Sequence, residues 1–352
     1  MEMISFNMAH GFAEGVVRGY RASLLTSHQY ASLTQCETLD DLRMQLSATD
    51  YGNFLANEQP PLSTAVIAER ATGKMVAEFD YLRSNATGDL AKFLDYLTYS
   101  YMIDNVILLI TGTLHERDTH ELLQRCHPLG VFDTMPALCV ATTVEELFHS
   151  VLVETPLAPY FRECLSASDL DDLNIEIIRN TLYKAYLEDF AAFCQSLGGS
   201  TAESMTKLLS FEADRRVLNI TLNSFGTSLS KEERARLFPT IGRLFPAGNN
   251  ILAKADDVDQ VRAVCESVPE YRGFFAGDGG SGGDGDGAAE GLEDKMFKEE
   301  TRLNRVETIT QFQFGIFYSW LKLKEQEIRS ITWIAECIAQ GVRDRISDFV
   351  NV

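Results

Sequence analysis

Apolar residues recur along most of the chain at steps of three and four positions, the spacing of one face of an α-helix. The clearest run contains Ile175, Ile178, Leu182, Tyr186, Phe190, Phe193 and Leu197. It begins at Ser168 in a start that resembles a capping box, and Gly198-Gly199 supplies a stop. The pattern predicts one helix from Ser168 to Leu197, roughly 45 Å long at about 1.5 Å per residue.

The C-terminal part carries two more helical stripes. The first consists of Leu303, Val306, Thr310, Phe314, Phe317 and Leu321, and the second of Ile328, Ile331, Ala335, Ile338, Val342, Ile346 and Phe349. Alternation of apolar and polar residues between turns, which is typical of strands, is scarce. We therefore predict an all-α fold.

The most apolar stretch of the chain is Tyr101–Leu114, which also contains Asp104. A helix that crosses a bilayer needs about 20 residues, so this stretch is too short. We predict a buried helix and a protein that is soluble or peripheral to a membrane.

The segment Gly277–Gly291 (GDGGSGGDGDGAAEG) combines glycine and acidic residues without a large apolar side chain. This composition predicts a flexible acidic surface loop. Gly279–Asp284 also matches one copy of a calcium-binding repeat, but such sites need stacked tandem copies.

A weak internal repeat organises the chain. Similar helix starts lie at Thr38–Leu42, Thr143–Leu147 and Asp257–Val261, at spacings of 105 and 114 residues. Each is followed by aromatic residues: Tyr51 with Phe54, Tyr160 with Phe161, and Tyr271 with Phe274 and Phe275. Each unit also contains an acid before an apolar run, namely Asp104, Asp214 and Glu327.

The repeat predicts a single domain of three pseudo-symmetric helical units, about 10–117, 118–228 and 229–352. Three similar units around a pseudo-threefold axis enclose a central hollow. We therefore expect a funnel-shaped molecule.

The composition is that of a globular protein, with 45% hydrophobic and 23% charged residues among 352. The formal charge is −20, from 31 basic and 51 acidic residues. This charge provides no basic footprint for nucleic acid and opposes direct docking on anionic lipid. We expect any membrane contact to be indirect, through protein partners.

Candidate chemistry is sparse. The seven cysteines are scattered without a CxxC pair, which fits a reduced cytosolic protein. No GxxxxGK[ST] phosphate loop, GxSxG elbow or HExxH helix occurs in the sequence. We predict no cofactor and no catalytic site.

Asp171, Asp172 and Glu176 resemble a DDxxxE magnesium motif, as found in all-α enzymes that use diphosphate substrates. Acids in the first turn of a helix also favour the helix dipole, and no second acidic motif on a facing helix is evident. A magnesium-dependent enzyme therefore remains an alternative.

Another sequence cluster contains His115, His120, Cys126 and His127. The first two histidines are five residues apart, which does not place them on one helix face, and no paired thiols accompany them. We interpret these residues as turn and surface residues and predict no metal site.

The last predicted helix contains Trp333, Glu336 and Cys337. Trp333 and Cys337 are four residues apart and share a helix face. This spacing suits a core tryptophan packed on a thiol, and it also suits a contact surface, where tryptophan is enriched.

Long strings along the chain resemble the subunit d family of eukaryotic V-type ATPases. They are CETLDDL (Cys36–Leu42), YGNFLANE (Tyr51–Glu58), SYMIDNVILLITGTLHER (Ser100–Arg117), CHPLG (Cys126–Gly130), DLDDLNIEIIRNTLYKAYLEDF (Asp169–Phe190), FEADRRVLNITLNSFGT (Phe211–Thr227), LSKEERARLFP (Leu229–Pro239) and LKLKEQEIRSITWIAECIAQ (Leu321–Gln340). They occur in order from about residue 10 to 350. The first ten residues and Gly277–Gly291 depart from the family pattern.

The resemblance implies an all-α funnel of three helical units, related to a stalk component of prokaryotic V/A-type ATPases. It implies a non-catalytic subunit of the membrane sector that couples the central stalk to the proteolipid c-ring, so that ATP hydrolysis drives proton transport. The expected partners are the c-ring, central-stalk subunits D and F, and the cytoplasmic domain of the a subunit. The expected location is the cytoplasmic face of vacuolar, lysosomal or endosomal membranes.

We predict that the interface and coupling residues are charged or aromatic residues of the three acid-bearing segments. They are Asp104, Asp214, Arg215, Arg216, Lys322, Lys324, Glu325, Glu327, Arg329, Trp333, Glu336 and Cys337. Ion pairs that hold the helical units together are an equally open interpretation of the charged residues. A generic helical scaffold without this partner set is a further alternative.

Overall fold

The fold is described from a computed structural model, which covers residues 2–140, 146, 153, 155–163, 172–275 and 291–350. Across these ranges the regular secondary structure consists of α-helices and short 3-10 helices, and none of the residues described forms a strand. This arrangement confirms the predicted all-α fold.

Several predictions fall outside the described residues. They are the start at Thr143–Leu147 apart from Glu146, the start at Ser168, the side chain of Asp171, Cys164, and the segment Gly277–Gly291 apart from Gly291.

The chain divides into two compact units. The first unit consists of residues 1–91 and 277–352, and the second of residues 92–276. The division into three repeats stays a prediction.

The first unit is organised around one long helix, α13. Its helices are α1 (Glu2–Ala22), α2 (Ser27–Thr34), α3 (Leu39–Ser47), α4 (Thr64–Ser84), α12 (Leu292–Glu307), α13 (Gly315–Gln340) and α14 (Ile346–Phe349). Helix α13 packs against α1, α3, α4, α12 and α14. Its Trp320 and Phe317 are fully buried, so this helix supplies the largest side chains of the local core.

The second unit is built on two long helices, α7 and α8. Its helices are α5 (Gly88–Leu114, whose first residues belong to the first unit), α6 (Thr119–Arg125), α7 (Asp172–Leu197), α8 (Gly199–Ser224), α9 (Lys231–Leu237), α10 (Ala247–Leu252) and α11 (Val258–Ser267). Short 3-10 helices cover Pro128–Gly130, Met135–Val140 and Ala158–Glu163. Helix α8 packs against α7, α9, α10 and α11. Tyr96 of α5 stacks on Phe190 and Phe193 of α7, with ring centroids 5.0 Å apart in each pair.

The predicted end of the long helix is confirmed. Helix α7 ends at Leu197, and Gly198 adopts a φ of +68° before α8 begins at Gly199. This left-handed backbone suits glycine, which lacks a Cβ, and it lets the chain turn between the two long helices.

Helix α5 corrects the length predicted for the apolar stretch. The helix starts at Gly88, before the stretch itself, and its 27 residues are long and apolar enough to cross a membrane by length and composition. Half of its most apolar window is buried inside the protein. Ile103, Val106 and Ile107 are fully buried, which confirms the predicted buried helix.

The two C-terminal stripes extend across helix ends. Residues 308–314 separate α12 from α13, and Phe312 has a φ of +60°. Its N–H donates to Glu14 Oε1 at 3.0 Å, and Arg18 donates to the carbonyls of Thr308 and Thr310 at 3.1 and 3.0 Å. These contacts with α1 stabilise the break inside an apolar pattern that is locally compatible with a continuous helix. The second stripe is interrupted at Gly341, which has a φ of +71° and follows the end of α13.

Candidate functional site

A buried ion pair lies on α13 in the first unit. Lys324 Nζ is 3.0 Å from Glu327 Oε1, and the two side chains are 0% and 3% exposed. Residues three apart lie on the same helix face, so the local sequence brings the two groups together. Burial removes both charges from water, so their other contacts determine whether the pair stabilises the fold.

Glu327 accepts two further hydrogen bonds from outside α13. The Tyr51 hydroxyl donates to Oε1 at 2.9 Å, and the Leu25 backbone N–H donates to Oε2 at 2.5 Å. Lys324 Nζ also lies 4.4 Å from the centroid of the Tyr51 ring. Burial, followed by the Glu327 charge, raises the pKa of Tyr51 well above its ordinary value, so its hydroxyl remains a donor. One carboxylate therefore joins α13 to the segments that follow α1 and α3.

The second unit contains a similar carboxylate in α8. Asp214 is 1% exposed and accepts hydrogen bonds from the Tyr271 hydroxyl at 2.6 Å and the N–H groups of Arg243 and Leu244 at 2.8 and 3.1 Å. Burial raises the pKa of Asp214 to about 6, and these hydrogen bonds oppose that shift. The carboxylate joins α8 to the segment before α10 and to the aromatic segment after α11.

Gly242 allows the backbone to approach the Asp214 carboxylate. Its φ is +117°, and a Cβ at this position would overlap the Asp214 carboxylate. The adjacent amides can therefore reach the carboxylate only with glycine at this point.

Two of the predicted repeats share the same tyrosine contact. Helices α3 and α11 begin directly after the N-caps Thr38 and Asp257, as predicted, and Tyr51 and Tyr271 follow them. Each tyrosine hydroxyl binds the acid that precedes an apolar run, Glu327 or Asp214. The tyrosines were noted as aromatic markers but not as site residues. Their equivalent position in the repeat is the sequence signal that could have identified them.

The third acid has a different partner. Asp104 of α5 is exposed, and its Oδ1 accepts a hydrogen bond from the Tyr183 hydroxyl at 2.6 Å. Tyr160, the aromatic residue in the middle repeat, donates instead to Asp189 Oδ2 at 2.7 Å. The tyrosine–acid pairing is therefore repeated in chemistry but not in strict register.

Glu212 of α8 organises the two neighbouring arginines. It is 8% exposed, with Arg215 Nη2 at 2.5 Å and Arg216 Nε at 3.3 Å from its carboxylate. The Arg216 guanidinium carbon lies 3.2 Å from the centroid of the Tyr183 ring. Arg216 and Asp104 are thus linked through Tyr183, which sequence spacing did not reveal.

The remaining charged residues of α13 lie nearer its surface. Lys322 Nζ pairs with Glu325 Oε2 at 3.1 Å, and both side chains are about one quarter exposed. Arg329 is exposed and its guanidinium carbon lies 3.8 Å from the centroid of the Phe297 ring of α12. These groups differ from the buried pair because water still screens their charges.

The tryptophan segment combines the two environments considered for it. Trp333 is half-buried, and its indole N–H donates to the Arg345 carbonyl at 3.3 Å. Cys337 is 2% exposed, whereas Glu336 is half-buried. The thiol belongs to the core, and Trp333 and Glu336 retain surface available to a partner.

The geometry describes internal pairing more clearly than it describes a reaction centre. Among the residues that the structure describes, no group of three His, Cys, Asp or Glu side chains could hold a metal ion. Glu176 of the magnesium alternative pairs with Arg179 at 3.3 Å. His127 accepts a hydrogen bond from the Leu129 N–H and stacks on Tyr101.

Comparisons with known proteins define the class first: residues 13–349 match the ATP synthase (C/AC39) subunit family. A V-type proton ATPase subunit d from Neurospora crassa is 56% identical, with 100% of both chains covered. The Saccharomyces cerevisiae protein of the same name is 51% identical, again over 100% of both chains. The Dictyostelium discoideum protein is 50% identical, covering 99% of this chain and 97% of its own.

The chain therefore belongs to the V-type proton ATPase subunit d family. Membership makes it part of the V-type ATPase complex, which is associated with organelle membranes. The predicted interface roles of individual residues stay predictions.

Replacement of Lys324 by methionine is expected to lower the free energy of unfolding by about 3–5 kcal/mol, because it leaves the Glu327 carboxylate buried without its cation. Chemical denaturation measures this change. Lys322→Met is the matched control on the same helix, and its loss should stay below about 1 kcal/mol because its ion pair is half-exposed. Equal losses in the two variants would contradict the assignment.

Asp214 should produce a pH-dependent difference from Asp214→Asn. Its folded pKa of about 6 lies above the ordinary value of 3.8, so the folded state binds the proton more tightly. The wild-type free energy of unfolding should therefore fall, relative to the variant, by about 3 kcal/mol as the pH rises from about 4 to about 6. Denaturation of both proteins across this window measures the difference, and a constant difference would oppose the predicted linkage.

Gly242→Ala should destabilise the second unit by about 1–3 kcal/mol, because the new Cβ meets the Asp214 carboxylate on a left-handed backbone. Gly73→Ala is the control: Gly73 is exposed in α4, with open space around a Cβ. That change should stabilise the helix by about 0.5–1 kcal/mol. Thermal and chemical unfolding compare the opposite signs.

Proposed function

We propose that this chain is a non-catalytic coupling subunit between the central stalk and the proteolipid c-ring. In this role it transmits rotation by contact, so that ATP hydrolysis elsewhere drives proton transport and organelle acidification. The observation that carries the proposal is the tight internal connection of α13 through the buried Lys324–Glu327 pair. A body that transmits torque needs such cross-connections to resist deformation.

The proposal includes interfaces of unlike type. One end binds the c-ring, another surface receives central-stalk subunits D and F, and the cytoplasmic domain of the a subunit lies nearby. Membrane contact is indirect and occurs at the cytoplasmic face of vacuolar, lysosomal or endosomal membranes. The net charge of −20 supports electrostatic steering of basic partner surfaces and opposes direct binding to anionic lipid.

We further propose that the three predicted repeats form a funnel with a central hollow. The equivalent contacts of Tyr51 and Tyr271 support a repeated structural plan. In this arrangement the acid-bearing segments brace the helical walls, while exposed members such as Arg329 and half-buried Trp333 are available for contacts with partners.

Affinity purification from detergent-solubilised endomembranes tests the partner set. The full-length tagged chain should co-purify the proteolipid, the central-stalk subunits and the a subunit. Recovery of the chain without the proteolipid and the a subunit would favour a generic scaffold over the coupling role. A magnesium titration of the isolated protein separately tests the enzyme alternative based on Asp171, Asp172 and Glu176.

Charge reversal at Arg215 is expected to reduce ATP-driven proton pumping, because a glutamate there repels Glu212 and alters the adjoining surface. Arg215→Gln should have a smaller effect because it removes the cation without adding an anion. Pumping is measured in isolated organelle vesicles, alongside ATP hydrolysis and recovery of the assembled complex.

Arg125→Glu is the matched control. Arg125 forms an exposed pair with Glu121 on α6, and screening by water limits the effect of changing it. Normal assembly and pumping in Arg215→Glu would contradict the proposed coupling role of this residue. Thermal melting identifies any loss of the folded protein.

A further inference from the structure

A cleft of about 450 Å³ lies in the second unit, outside the buried carboxylate contacts described above. Its walls come from α7, the C-terminal half of α8, the segment after α8 and the end of α9. This volume is within the usual range of roughly 300–1,000 Å³ for a ligand site. Its lining combines apolar side chains with several hydrogen-bonding groups.

Two arginines supply positive charge to the cleft. Arg179 comes from α7 and Arg216 from α8, whereas Glu176 is the one acid in the lining. The Nε–H groups of both arginines are shielded from water and have no hydrogen-bond partner among the described atoms. The Arg216 Nε lies 3.3 Å from Glu212 but without the alignment of a hydrogen bond.

An incoming carboxylate can use these unfilled donors. Arg179 is held by Glu176 through Nη1 at 3.3 Å, and that contact leaves Nε–H available. Arg216 is held from one side by its contact with the Tyr183 ring. Guanidinium groups are planar donors that match a carboxylate well, so two of them in one cleft favour an acidic ligand.

Amide side chains extend the recognition surface along α8. Asn219 and Asn223 are four residues apart and line the cleft, about 6 Å apart along the helix axis. Neither side chain makes a hydrogen bond to another described residue. An asparagine amide offers both a donor and an acceptor, which is the pairing that a peptide backbone requires.

The apolar part of the cleft limits the ligand further. Ile177, Ile220, Leu229 and Leu237 lie in the same lining, so a fully hydrated inorganic anion would leave this surface without a partner. A peptide can present an acidic side chain, backbone amides and an apolar side chain together. The combined charge and hydrogen-bonding pattern therefore favours a polypeptide.

We propose that this cleft binds an extended acidic segment of a partner polypeptide. Arg179 and Arg216 hold its carboxylate, while Asn219 and Asn223 pair with its backbone. The proposal rests on the proposed function in one respect, because it takes the partner to be another subunit of the same ATPase.

A peptide array tests the assignment with the full-length protein. The probes are overlapping peptides from the other V-type ATPase subunits of the same organism, each acidic peptide paired with its Asn or Gln counterpart. Peptides that bind on the array are then titrated in solution to obtain dissociation constants. An acidic peptide should bind, and its amide counterpart should bind at least about tenfold more weakly.

The protein variants connect this binding to the cleft. Arg179→Gln should weaken the peptide about tenfold, and Asn223→Ala should weaken it by a smaller factor. Both side chains have solvent exposure, so these changes retain the core. Arg125→Gln, an exposed arginine outside the cleft lining, should leave the dissociation constant unchanged.

Three outcomes would overturn the inference: no array peptide binds, the amide peptide binds as well as the acidic one, or Arg179→Gln leaves binding intact. Competition by inorganic phosphate or acetate at the affinity of the peptide would instead assign a small-anion site and also overturn it. Failure on the array with normal co-purification of the proteolipid leaves the coupling proposal standing. Peptide binding without co-purification has the opposite meaning, because it retains the cleft and contradicts the proposed complex.

Discussion

The buried contact between Lys324 and Glu327 places the strongest constraint on the first unit. A carboxylate and an ammonium group withdrawn from water require both mutual attraction and filled hydrogen bonds. Glu327 reaches this state only when the Tyr51 hydroxyl and the Leu25 N–H arrive together at its two oxygens. The central helix therefore defines the positions of two otherwise irregular segments, and charge contributes to the specificity of an apolar core.

The second unit uses the same chemistry without a buried ammonium group. Tyr271 and two backbone amides surround the Asp214 carboxylate, and Gly242 makes their close approach sterically possible. The two units thus differ in the charge beside the acid, while a tyrosine from the segment after a short helix recurs. This recurrence gives the weak sequence repeat a structural content that helix periodicity alone does not have.

Internal pairing also separates groups that maintain the fold from groups that can meet a partner. Lys324, Glu327 and Asp214 are enclosed, so changes there act first on stability. Arg329, Trp333 and the amides of the α7–α8 cleft have solvent exposure and can take part in binding. For a subunit in a proton-pumping ATPase, this division supplies a rigid body and distinct surfaces for other chains.

The sequence by itself determined the helical class, the starts after Thr38 and Asp257, the stop at Gly198 and the family. These features depend on periodicity, capping and long local strings, all of which are encoded between near neighbours. The tertiary structure decided that Tyr51 meets Glu327 across 276 residues, that Tyr183 joins Asp104 to Arg216, and that residues 308–314 interrupt an apolar stripe. Such contacts depend on which helix faces pack together, because a residue pattern defines a face but does not identify the distant group that lies against it.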